Sequence, residues 1–142
     1  MRHYFAYGSN MSRRRMDARC AGHAPVGVGE LDGHALVING RGVATVAPRQ
    51  GSSVEGVVWT ISAEDEASLD GFEGVAAGRY AKHEMTVRLA DGRRVEALVY
   101  VDPDCLPGTG CRPGYAEFLI EGAEDFRLSE RYRTTLRTTL GL

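Results

Sequence analysis

Residues 81–101 read AKHEMTVRLADGRRVEALVYV, and two alternating runs stand out in them. Ala81, His83, Met85, Val87 and Leu89 alternate with polar side chains, and Val95, Ala97, Val99 and Val101 do the same beyond Asp91-Gly92. Successive side chains of a strand point to opposite faces, so each run predicts a strand with one apolar face. An Asp-Gly pair between such runs predicts a tight antiparallel connection. The hairpin is the clearest local signal in the chain.

Upstream, more strand signals accumulate. Arg2 to Tyr7 is an aromatic-rich strand ending at Gly8. Val26-x-Val28, Ala35 to Ile38 and Val43 to Val46 are short candidates separated by glycines, and Val54 to Ile61 is a stronger β-branched run. Ser12 is the expected N-cap of a helix reaching about Cys20, where Ala21-Gly22 stops it. Ser62-Ala63-Glu64-Asp65 is a capping-box-like start for a helix to about Phe72. Downstream, a loop carrying Pro103, Pro107, Gly108 and Gly110 leads to Pro113, a residue suited to a first helical position. Helices are expected over Pro113 to Ala123 and Ser129 to Leu140. Strands fill the first hundred residues and helices the end, which predicts an α+β fold, a mostly antiparallel barrel-like sheet with flanking helices.

At 142 residues and 43% apolar content, the chain matches one domain, residues 1–142, with a proper core. A formal net charge of −2 gives no overall basic field for nucleic acid. Arg13-Arg14-Arg15 reads as a solvated helix face rather than a polyanion site. No apolar run is long enough for a membrane span, and no secretory pattern opens the chain, so a cytoplasmic protein is expected. The 3 cysteines include no CxxC, and the 4 histidines show no HxH or HxxxH spacing, so no metal is expected. Cys105 and Cys111 are near enough to bridge across their loop, which a reducing compartment disfavours. Oligomeric state is left open between monomer and homodimer. The amphipathic Tyr132, Leu136, Leu140 stripe reads as core packing, or equally as a dimer contact.

Two segments carry chemistry. Tyr7-Gly8-Ser9-Asn10 follows the first strand, and Gly and Asn tolerate backbone angles that turn successive N–H groups toward an anion. A helix starting at Ser12 adds a positive dipole end. Ser9 lacks the G-x-S-x-G elbow of a hydrolase nucleophile. Glu73 lies at the expected end of the second helix, where the macrodipole disfavours a carboxylate and pushes its pKa up. Asp70, one turn back, adds to this if the two face each other. A general base near neutrality needs that shift.

YFAYGSNM (residues 4–11), Gly42-Val43-Ala44-Thr45-Val46, Glu55-Gly56-Val57-Val58-Trp59, Leu69-Asp70-Gly71-Phe72-Glu73-Gly74-Val75 and Gly78-Arg79-Tyr80 together resemble the γ-glutamylcyclotransferase family. Pro113-Gly114-Tyr115 and Leu119 to Ala123 continue the resemblance, which covers nearly the whole chain. It implies a small barrel-like α+β fold with the active site at one mouth, and release of 5-oxoproline from a small-molecule γ-glutamyl substrate without metal or cofactor. It further implies that Tyr7, Gly8, Ser9 and Asn10 hold the γ-glutamyl group, that Glu73 is the acid/base, and that the Tyr80 and Tyr115 hydroxyls border the site. The reaction is an intramolecular acyl transfer that expels an amine.

The glutathione-specific branch of that family usually reads YGSL where this chain has Asn10, so the γ-glutamyl-amino-acid branch is the nearer likeness. A bacterial enzyme that removes a γ-glutamyl protecting group in biosynthesis is a variant of the same reading. The glycine-rich segments 40–42 and 105–113 are expected to shape the leaving-amine pocket. A non-catalytic γ-glutamyl or carboxylate binder is the rival class, against which the presence of Glu73 argues.

Overall fold

A computed structural model describes residues 1–104, 106, 108 and 110–142. The alternation over residues 81–101 is realised as two strands, which we label β4 (Ala81–Leu89) and β5 (Arg94–Val101). They pair antiparallel from Ala81↔Val101 to Arg88↔Arg94, with Gly92 in the turn at φ +89°. The remaining strands are β1 (Arg2–Ala6), β2 (Ala24–Ile38) and β3 (Ala44–Ile61). The sheet closes into a barrel in the order β1-β3-β2-β4-β5, and a parallel β1–β5 contact at Tyr4↔Leu98 completes the ring.

β2 and β3 are each longer than their sequences suggest. The short segments expected over residues 26–28 and 35–38 are one strand, and those over 43–46 and 54–61 another. Of the glycines that punctuate them, Gly27 and Gly33 sit at irregularities of a continuous ladder, whereas Gly29 pairs in register with Gly56. Register shifts between Pro25 and Gly27 and between Asp32 and His34, and the β3 residues between Pro48 and Ser53 are bulged out. A bulge bends a ribbon without ending it, which is how these strands curl around the barrel.

Four helices flank the barrel: α1 (Arg13–Arg19), α2 (Ala63–Phe72), α3 (Tyr115–Asp125) and α4 (Glu130–Thr139). Ser12 caps α1 by accepting from the Arg15 N–H at 3.3 Å. Ser62 and Asp65 form the expected capping box on α2. Asp65 also accepts from the Gly22 N–H at 3.1 Å, tying the start of α2 to the chain after α1. Pro113 is not the first residue of α3, because Gly114 at φ +78° is the cap and the helix starts at Tyr115. A left-handed glycine turns the chain there, so Pro113 lies outside the helix.

The core is one cluster running from Phe5 on β1 through Val58 and Trp59 on β3 to Val87, Leu98 and the helix residues Leu69, Leu119 and Leu136. Trp59 is fully buried, stacks edge-on against Phe126 and His23, and donates its indole N–H to the carbonyl of Asn10 at 3.1 Å. The barrel core thus supports the loop after β1 directly. Among the described residues no helix is long and apolar enough to cross a membrane. Cys20 and Cys111 are unbridged; the Cys105 side of the expected Cys105–Cys111 pair lies outside the described residues.

Candidate active site

The loop after β1 tightens into a 3-10 turn, Ser9–Met11, whose residues are all buried. α3 presses on this turn at Gly122, where a Cβ would lie 2.6 Å from the Met11 carbonyl carbon. Only a residue with no side chain allows that approach, which fixes the turn over the barrel mouth. The side-chain amide of Asn10 is engaged on both its atoms. Its Nδ2 donates to the Tyr4 hydroxyl at 2.9 Å and its Oδ1 accepts from Arg19 at 3.1 Å, so it braces the loop internally.

Glu73 terminates α2 as its C-cap, with its N–H donating to the Leu69 carbonyl at 2.8 Å. Leu69 is fully buried and locks the last turn onto the barrel. Gly74 then takes φ +66°, a left-handed angle that ends the helix and leaves the Glu73 side chain at the mouth.

A cavity of about 350 Å³ opens at this mouth. Tyr7, Gly8, Ser9, Asn10, Glu73, Tyr80 and Tyr115 all line it, so the structure brings the sequence-derived site residues together. Burial pushes the Glu73 carboxyl from its ordinary 4.5 up to about 7, opposed by the positive charges of Arg19, Arg15 and Arg41. The cause differs from the one the sequence suggested. Asp70 accepts from the Tyr100 hydroxyl at 2.7 Å and from Lys82 at 3.0 Å, and it plays no part in the Glu73 shift. Desolvation does the work instead.

The tyrosine hydroxyls differ in what their protons do. Tyr7 donates to the Tyr100 carbonyl at 2.5 Å, and Tyr80 donates to the Ala44 carbonyl at 2.7 Å. Tyr115 instead accepts from the Ala44 N–H at 3.0 Å and from the Ser9 backbone, and its hydroxyl donates to no partner among the described residues. Burial raises Tyr7 and Tyr80 far above the ordinary phenol value and pushes Tyr115 up to about 12, so all three stay neutral at physiological pH.

Arginines are what the motifs did not disclose. Arg15 and Arg19 from α1, Arg41 from the β2–β3 turn and Arg112 all line the cavity. The reading of Arg13-Arg14-Arg15 as a solvated face fails at Arg15, which is half-buried and faces the site, while Arg14 pairs outside with Glu121 at 2.9 Å. The available signal was the helical spacing of residues 15 and 19, which puts both on one face just after the loop. Of the segments 40–42 and 105–113, Arg41, Arg112 and Pro113 line this cavity; Cys105, Pro107 and Thr109 lie outside the described residues. Among the described residues no cluster of His, Cys, Asp or Glu is arranged to hold a metal ion.

A desolvated carboxylate at a barrel mouth, ringed by arginines, neutral phenols and a backbone loop, is a set of groups able to exchange a proton beside a bound anion. Residues 4–117 match the family model described as gamma-glutamyl cyclotransferase, AIG2-like, and the chain belongs to that family. It is 29% identical to gamma-glutamylcyclotransferase of Bos taurus over 95% of this chain and 77% of that protein. The human protein of the same name is also 29% identical, over 94% of this chain and 76% of its own length. A solved structure titled gamma-glutamyl cyclotransferase superposes with a TM-score of 0.85 at 28% identity, covering 96% of this chain and 86% of that one.

Proposed function

We propose that this chain is a γ-glutamylcyclotransferase that releases 5-oxoproline from a γ-glutamyl amine or γ-glutamyl amino acid, with Glu73 as the general acid/base. The carrying observation is the Glu73 carboxyl, held at the cavity floor with a pKa of about 7. Efficient proton transfer needs a group whose pKa lies near the working pH, and an ordinary glutamate is more than two units too acidic.

The substrate carries its own nucleophile, the α-amine, and its own electrophile, the γ-carbonyl carbon. Holding the glutamyl chain folded brings them together, and such intramolecular orientation can supply ~7–11 kcal/mol. Tyr7, Gly8, Ser9 and Asn10 form the loop that receives the glutamyl group, and Tyr80 limits its depth.

The α-amine arrives as an ammonium. The Glu73 carboxylate removes one proton, and the amine lone pair attacks the γ-carbon. The carbonyl electrons move onto oxygen, toward the free hydrogen of the Tyr115 hydroxyl. Protonated Glu73 delivers its proton to the amide nitrogen, the C–N bond breaks, and the carbonyl re-forms. The ring nitrogen loses its second proton to Glu73, which the departing amine takes up. Two protons leave the α-nitrogen and two reach the leaving amine, so Glu73 ends as it began.

The test is 5-oxoproline release from γ-glutamyl-alanine, glutathione, γ-glutamyl-ε-lysine and a γ-glutamyl polyamine, with Glu73→Gln as control. Glu73-dependent release from any of them supports the reading. Release that survives in Glu73→Gln would remove Glu73 from the mechanism.

A further inference from the structure

Arg15 and Arg19 stand one helical turn apart on the same face of α1, half-buried at the cavity wall. One flat ring lies against each guanidinium, Phe118 against Arg15 at 4.4 Å and Phe72 against Arg19 at 4.5 Å. Among the described residues neither arginine has an ion pair, whereas Arg14 has Glu121 at 2.9 Å and Arg41 has Asp102 at 3.6 Å. The Nε of Arg15 is shielded from solvent and has no hydrogen-bond partner.

Two like charges at this spacing repel, and a shielded charged donor without an acceptor is costly. The fold therefore holds two cations beside Glu73, whose charge they share, with no salt-bridged carboxylate of their own among the described residues. Among the described residues Glu73 is the one acidic side chain lining the cavity, against Arg15, Arg19, Arg41, Arg79 and Arg112. The γ-glutamyl group brings an ammonium together with its α-carboxylate and so adds no net charge. The unmatched positive charge calls for a second anion, on the part of the substrate that leaves.

We propose that Arg15 and Arg19 are the specificity residues of the site, receiving a carboxylate carried by the leaving amine. The preferred substrate is then a γ-glutamyl amino acid or peptide, and γ-glutamyl derivatives of neutral or polycationic amines are disfavoured. This rests on the cyclotransferase reading above and adds to it a role for the leaving group. Arginine suits that role, because its planar fork matches a carboxylate in two parallel hydrogen bonds. A polyamine at the same wall would meet like charge.

The deciding comparison is γ-glutamyl-alanine against γ-glutamyl-alaninamide, which has nearly the same shape without the second negative charge. The wild-type protein is expected to favour the acid at least ~10-fold in kcat/KM. Arg15→Gln combined with Arg19→Gln should bring that ratio close to one, while Arg15→Lys with Arg19→Lys keeps most of it. Equal turnover of acid and amide by the wild type overturns the proposal. So does a Gln variant that lowers both substrates by the same factor, the result expected if the pair holds the α-carboxylate or only the fold.

Calorimetric binding of the same two compounds to Glu73→Gln protein separates this from the catalytic reading. Tighter binding of the acid, lost when Arg15→Gln and Arg19→Gln are added, supports the arginine assignment even if no 5-oxoproline is ever released. Equal binding of acid and amide overturns it even if turnover is brisk.

Discussion

The Tyr100 hydroxyl donates to Oδ1 of Asp70 at 2.7 Å, which ties β5 to the last turn of α2 just ahead of Glu73. The carbonyl of the same Tyr100 accepts from the Tyr7 hydroxyl at 2.5 Å. One residue therefore links the helix that ends at Glu73 to Tyr7, which opens the loop after β1. Tyr100→Phe removes the hydroxyl and leaves the backbone link. A hydrogen bond to a charged partner is worth ~1.5–3 kcal/mol, and Asp70 keeps Lys82 at 3.0 Å, so a loss near the lower end is expected. Urea unfolding measures it, and an unchanged midpoint would show that the link does not hold α2.

Glu73 should govern the acid limb of the rate profile. Proton removal from the substrate ammonium requires the carboxylate, whose fraction falls below its pKa of about 7. We expect kcat/KM to drop tenfold per unit of pH well below that point, and Glu73→Gln to lose ~10²–10⁴-fold in turnover while still binding ligand. An acid limb centred near 4.5, the ordinary glutamate value, would mean that the carboxyl is not desolvated in the working enzyme.

The same shift makes stability depend on pH with a definite sign. The folded-state pKa of about 7 lies above the ordinary 4.5, so the fold favours the protonated carboxyl. That stability is present in full below about 4.5 and is lost as pH rises toward 7 and beyond. Glutamine mimics the protonated form at every pH. Thermal melts of wild type and Glu73→Gln should run closest below the window, separate across it with the glutamine variant more stable, and stay a constant distance apart above it. Parallel melts across the whole range would contradict the burial of Glu73.

The hairpin, the capping box on α2 and the Ser12 cap were legible because each is a local pattern within a few residues. The length of β2 and β3 was not, since a glycine that ends a strand and one that sits at a bulge look alike until the ladder partner is known. Glu73 was legible through its motif, but the reason for its shifted pKa was not. Desolvation depends on Tyr80, Tyr115 and the arginines converging from distant segments, while the sequence offered only Asp70, which turns out to face Lys82 and Tyr100. Arg15 was misread for the same reason. Its neighbours Arg13 and Arg14 are exposed, and the cavity that Arg15 faces is walled by segments up to about a hundred residues on, Phe118 of α3 among them.

Gly122 gives a test of how the loop is held. A Cβ at that position would stand 2.5 Å from Cβ of Met11 and 2.7 Å from its carbonyl oxygen, so either α3 or the turn must move. Overpacking of this kind costs about 1–3 kcal/mol, offset by the ~1 kcal/mol by which alanine is the better helix former. Gly122→Ala is therefore expected to be destabilised modestly in urea and to lose activity out of proportion, because the displaced segment is Ser9–Met11. A variant as active as the wild type would show that the loop tolerates the shift.

Tyr115 separates catalysis from binding. Its hydroxyl accepts from the Ala44 N–H at 3.0 Å and donates to no partner among the described residues, the reverse of Tyr80, which donates to the Ala44 carbonyl. A donor aimed at charge that develops only in the transition state should affect kcat and leave KM nearly unchanged, since it adds little to the ground state. Loss of one such donor typically costs ~2.7–4 kcal/mol, or 10²–10³-fold in rate. Tyr115→Phe should therefore lose at least ~10²-fold in kcat with little change in KM. The orphaned Ala44 N–H should add a stability loss of ~1–3 kcal/mol. Tyr80→Phe supplies the contrast, because its proton already belongs to a backbone carbonyl and its loss should weigh on stability more than on kcat. A Tyr115→Phe variant whose defect lies in KM alone would move Tyr115 from the reacting carbonyl to the binding of the substrate.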